Sequence, residues 1–81
     1  MKAVLSDRAL LAIADAPVPV RRAFYKQLAL LEFDMRHPSL QAKKYDKSTG
    51  VWPARVNKGW RFYFTIEGDT CRIHKVTPHP K

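Results

Sequence analysis

Three arginines, a tyrosine and a histidine in the second half of the sequence have the types and spacing for phosphate chemistry. Arg55, Arg61 and Tyr63 lie within RVNKGWRFYF, and Arg72 and His74 follow in TCRIHKV. Arginine matches a phosphate with a planar, two-pronged set of donors. Histidine is the side chain whose ordinary pKa, about 6.5, lets it take and give protons near neutrality. Cleavage of RNA by its own 2′-hydroxyl needs a base, an acid for the departing 5′-oxygen, and cations around the crowded phosphate. A histidine and two arginines on one surface supply most of that set.

Whether these residues share a surface depends on the strands that carry them. From Gly50 onward the apolar residues alternate. Trp52 and Val56 in one run, Trp60, Phe62 and Phe64 in the next, and Cys71 and Ile73 in the last fall on one face of a sheet. Arg55, Arg61, Tyr63, Arg72 and His74 then fall on the other. A slip of one residue would bury three arginines, so the register is strongly specified. Lys58–Gly59 and Glu67–Gly68–Asp69 make the tight connections of a three-stranded antiparallel meander. Pro53 suits only an edge strand.

The first 37 residues have helical spacing. Ser6 is placed to cap a helix over Asp7 to about Asp15, after a candidate short strand at Lys2–Leu5. Pro19 fits the first turn of a second helix, whose Val20, Phe24, Leu28 and Leu31 share one face. That helix must stop before Pro38. The expected fold is α+β: an N-terminal helical hairpin, preceded by the candidate strand, packed on a three- to four-stranded antiparallel sheet.

At 81 residues the chain has room for one small domain, 1–81. Fifteen Lys and Arg against seven Asp and Glu leave a formal charge of +8, and nine of those cations follow residue 40. So strong a field on so small a body favours a polyanionic partner. The polar, basic run KKYDKSTG, starting at Lys43 and Lys44, reads as a loop able to meet a nucleic-acid backbone. The single cysteine, Cys71, excludes a disulfide framework or a cysteine-based zinc site. The amino-terminal apolar run is too short for a secretion signal or a membrane span, so a cytoplasmic location is expected. No P-loop, HExxH, GxSxG or dinucleotide-binding pattern is present, which leaves those enzyme classes without support.

The segment HPSLQAKKYDKSTGVWPARVNKGWRFYF resembles the central pattern of the RelE/ParE superfamily of bacterial type II toxins. That pattern has a His/Asn-Pro after the second helix, a lysine-rich loop, W/Y-x-x-R-V, and a Tyr/Trp-Arg pair opening the next strand. IHKVTPHPK is similar to its terminal strand, which ends in a histidine. The likeness is good over about residues 20–81 and loose before them. It implies a ribosome-dependent mRNA endonuclease working by 2′-hydroxyl attack, with no cofactor and no metal, neutralised by an acidic antitoxin. By position it implies that Arg61 holds the scissile phosphate, that Arg55 binds phosphate, and that His79 is a general acid or base. Lys43, Lys44 and Lys58 become RNA-backbone contacts, joining Tyr63, Arg72 and His74 of the cationic face. Many members continue past the histidine into an arginine and a catalytic tyrosine, whereas this sequence ends at Lys81. No acidic residue aligns with the glutamate that some members use as base. The alternative is therefore a non-enzymatic member, either a gyrase poison of the ParE kind or a toxin that only binds antitoxin or RNA.

Overall fold

The computed structural model describes residues 1–43 and 47–79. The elements run β1 (Lys2–Leu5), α1 (Asp7–Asp15), α2 (Val18–Phe33), β2 (Trp52–Asn57), β3 (Trp60–Glu67) and β4 (Thr70–Pro78). A short 3-10 turn, Pro38–Leu40, follows α2.

Local chemistry sets the helix ends. Ser6 is extended, and its Oγ accepts a hydrogen bond from the Ala9 N–H at 3.1 Å, satisfying one of the free donors of α1. The same hydroxyl donates to the His74 carbonyl at 3.2 Å, so the cap also ties α1 to β4. Pro19 occupies the first turn of α2, where its missing N–H leaves nothing unpaired. Beyond the end of α2, the Asp34 carboxylate accepts from the Arg36 N–H at 3.0 Å.

The four strands form one sheet in the order β1-β4-β3-β2. β2, β3 and β4 make the expected antiparallel meander, and Gly68 at φ +62° supplies the left-handed turn between the last two. β1 departs from the expected antiparallel pattern by joining β4 in parallel, with Ala3 beside Cys71 and Leu5 beside Ile73. The sheet is therefore mixed. A hairpin turn can join only antiparallel neighbours. Between β1 and β4 lie two helices and two further strands, so the chain returns from the far side and runs the same way. Pro53 lies on β2, the outer strand of the sheet, as its missing donor requires.

Ala54, Val56, Phe62, Phe64, Cys71, Ile73 and Val76 turn to the helices and are buried with Ile13, Phe24, Leu28 and Leu31. Phe24 meets Phe62 edge-on at 5.5 Å, a favoured aromatic geometry. Trp52 stacks on Phe64 at 6.3 Å from its partly buried position. Each fully buried phenylalanine contributes about 1.5–3 kcal/mol by leaving water, so this face of the sheet is fixed and the opposite one is left for charge.

Candidate active site

Arg55 and Arg61 are direct cross-strand partners on β2 and β3. Both are half-buried and lie on the face away from the core. The Arg61 guanidinium is held by its own hairpin: Nη1 donates to the Asn57 carbonyl at 2.8 Å and the Trp60 carbonyl at 3.0 Å. Between Arg55 and Asn57 the ladder slips by one residue, a bulge of the kind that redirects side chains near functional sites.

A second irregularity brings in the histidine. Tyr63 pairs with Lys75 but Phe64 pairs with Ile73, so His74 is an extra residue in β4. The bulge reverses the alternation of β4. Cys71 and Ile73 point inward before it and Val76 points inward after it. The outward series after the bulge is Lys75, Thr77 and then His79, whose N–H donates to the Gly59 carbonyl at 2.7 Å. Without the bulge, strict alternation would send His79 to the core side.

These residues line a cavity of about 260 Å³. Arg55, Arg61 and His79 share it with Tyr63 and with Lys43 and Gln41, which follow the 3-10 turn. The cavity thus collects three cations, an imidazole and a phenol, and no carboxylate is among its described lining residues. Like charges directly opposed across a ladder repel, and an anion between them turns the repulsion into attraction.

No family model matches the chain, and no curated protein matches it in sequence. Solved structures match it over nearly the whole length. A YoeB/ParE toxin from Agrobacterium tumefaciens superposes with a TM-score of 0.81 at 12% identity, covering 99% of this chain and 100% of that one. The archaeal RelE–RelB complex from Pyrococcus horikoshii OT3 gives a TM-score of 0.79 at 16% identity, over 95% of this chain and 92% of the other. The intact E. coli RelBE toxin–antitoxin complex gives 0.74 at 13% identity, over 99% and 98%. The chain has the RelE/ParE toxin fold. At such low identity the likeness concerns the backbone, and the cleft must be judged on its own residues.

On this RelE/ParE scaffold the cleft occupies the sheet face that the core leaves uncovered. Three residues expected at the site stand apart from the cavity. Arg72 pairs beside Thr65 rather than Arg61, about 13 Å farther along the strand at the usual rise per residue. There its guanidinium meets Glu67 at 3.7 Å. His74 shares a 2.7 Å hydrogen bond with Thr65 and lines a neighbouring depression with Tyr63 and Lys75. Lys58 is exposed on the β2–β3 turn and lines none of the cavities described. Lys44 lies outside the described residues.

Gln27 is the contributor that sequence reasoning missed. This buried side chain of α2 donates from Nε2 to the Arg55 carbonyl at 2.9 Å and to the Ser39 carbonyl at 3.1 Å. It therefore pins the strand bearing Arg55 to the segment leading to Gln41 and Lys43, the two walls of the cleft. A glutamine inside a helix has no sequence signature for such a role.

Proposed function

We propose that this chain is a toxin domain, residues 1–81, of a type II toxin–antitoxin pair, and that its cleft cuts messenger RNA on the ribosome in the cytoplasm. The observation that carries this reading is the opposed pair Arg55 and Arg61 with His79 on the same cavity. In the step envisaged, a ribose 2′-oxygen attacks the adjacent phosphorus and the bond to the 5′-oxygen breaks. The products are a 2′,3′-cyclic phosphate and a free 5′-hydroxyl. Arg61, already oriented by two backbone carbonyls, holds the non-bridging oxygens, and Arg55 shares their growing charge. His79 moves one of the two protons, either from the 2′-hydroxyl or to the leaving oxygen. Lys43 and Tyr63 hold the strand at the rim.

The likeness to proteins solved as RelE–RelB and RelBE toxin–antitoxin complexes supports an antitoxin partner for this chain too. A formal charge of +8 suits an acidic one. Inducing the chain in cells and mapping mRNA 5′ ends by primer extension tests the proposal. New ends within translated messages, suppressed by the antitoxin, support it.

A second reading, binding without cleavage, is favoured by the one imidazole among the cavity's described lining residues, with no carboxylate beside it to take the second proton. Growth arrest with intact messages and an induced SOS response would select its gyrase-poison form.

A further inference from the structure

Two further depressions adjoin the cleft. One, of about 520 Å³, shares Gln41 and Lys43 with it and adds Arg36 and His37. The other, of about 320 Å³, shares Tyr63 with it and adds Arg8, His74 and Lys75. The three therefore follow one another across the molecule without a break in their lining. Six cations stand along them: Arg36 and Lys43, then Arg55 and Arg61, then Lys75 and Arg8. All three histidines of the sequence are there as well. No acidic residue is among the described lining of any of the three, although the chain has seven.

Local structure at the two junctions is specific. Gln41, between the first pair, has a left-handed backbone at φ +48°, uncommon for a residue other than glycine and frequent at functional sites. His37 accepts the Ser39 N–H on Nδ1 at 3.2 Å, which leaves Nε2 as the donor of the neutral ring. At the other junction the Lys75 ammonium lies 5.6 Å from the centre of the Tyr63 ring. An aromatic platform beside a cation suits a stacked base next to a phosphate.

We propose that the three depressions form one binding track for single-stranded RNA. The central cavity takes the scissile phosphate, Arg36 with His37 contacts the strand on one side, and Arg8 with Lys75 contacts it on the other. The track rests on the mRNA-cleaving reading of the central cavity and adds the recognition of flanking nucleotides. It gives α1 and the segment after α2 a role in binding that the central cavity alone does not assign.

The test uses the full chain and 2′-O-methyl RNAs of two, four and six nucleotides, which cannot be cut. Binding is followed by fluorescence anisotropy over a range of salt concentrations. Affinity is expected to rise with length. Arg8→Ala and Arg36→Ala should each lower the salt slope for the hexamer by about 0.7, the loss of one phosphate contact on a single strand, and leave the dimer unaffected. Both side chains are exposed, so the fold should survive, as circular dichroism would check. Binding that depends on Arg55 but is equal for all lengths, or insensitive to Arg8 and Arg36, overturns the track and leaves the central site standing. Absence of binding at every length overturns the track, while the cutting of translated messages is judged separately by the mapping of mRNA ends in cells. A hexaglutamate peptide that competes as well as the hexanucleotide also overturns the track, since it would then be a general acidic-peptide groove.

Discussion

Arg55 and Arg61 face each other directly across β2 and β3, yet only Arg61 is anchored by hydrogen bonds to the backbone of its own hairpin. This asymmetry separates function from stability. Arg55→Ala removes a cross-strand repulsion and should raise the unfolding free energy by about 0.2–1 kcal/mol. Arg61→Ala loses the bonds to Asn57 and Trp60 and should lower it by about 1 kcal/mol. Urea unfolding of the two variants checks the opposite signs.

Anion binding between the same residues gives a second expectation. Inorganic phosphate at ten times its Kd should stabilise the wild-type protein by about 1.4 kcal/mol. Arg55→Ala should remove most of that gain. Equal stabilisation of both proteins in thermal melts would place the anion elsewhere.

The division of RVNKGWRFYF into buried rings and outward arginines was legible in the sequence because strand parity leaves no other arrangement. Ser6 as a cap and Pro53 on an edge strand were legible for the same reason, since each obeys a local rule. Three features were not. The parallel pairing of β1 joins residues far apart in sequence, which local pattern cannot reveal. The bulge at His74 reverses the parity of β4 with no glycine or proline to mark it, so alternation alone would not bring His79, expected at the site only from the family resemblance, to the face of the cleft. Gln27 reads as an ordinary solvent-facing helix residue until its two carbonyl partners are seen.

Gln27 itself supports a prediction. Gln27→Leu keeps much of the volume but strands the carbonyls of Ser39 and Arg55, at a cost of about 1–3 kcal/mol. RNA affinity should fall as well, because the walls of the cleft are no longer tied. Unfolding and anisotropy measurements on one variant read both effects.

Cys71 reports on the integrity of the core. Burial, with a smaller contribution from the nearby Glu32 carboxylate, pushes its thiol from the ordinary 9.0 up to about 12. A raised pKa means that the native state holds the proton more tightly than the unfolded chain. Its stabilising effect is complete below pH 9.0 and is lost as pH climbs toward about 12. At pH 8 the folded protein should resist iodoacetamide, and the urea-unfolded protein should react quickly. Rapid labelling of the folded protein would contradict the buried position.

Phe62 is fully buried against Phe24 and Phe64. Phe62→Ala should cost about 3–5 kcal/mol. On so small a domain that should leave most of the chain unfolded at 37 °C, as circular dichroism would reveal.

The most direct test of the central claim compares growth after induction of the wild-type chain with that of Arg61→Ala and His79→Ala, mapping mRNA ends in the same cultures. The cleft requires growth arrest and new mRNA ends for the wild type, and the loss of both in each folded variant. If both variants arrest growth and cut messages as the wild type does, the cleft is not the seat of the activity.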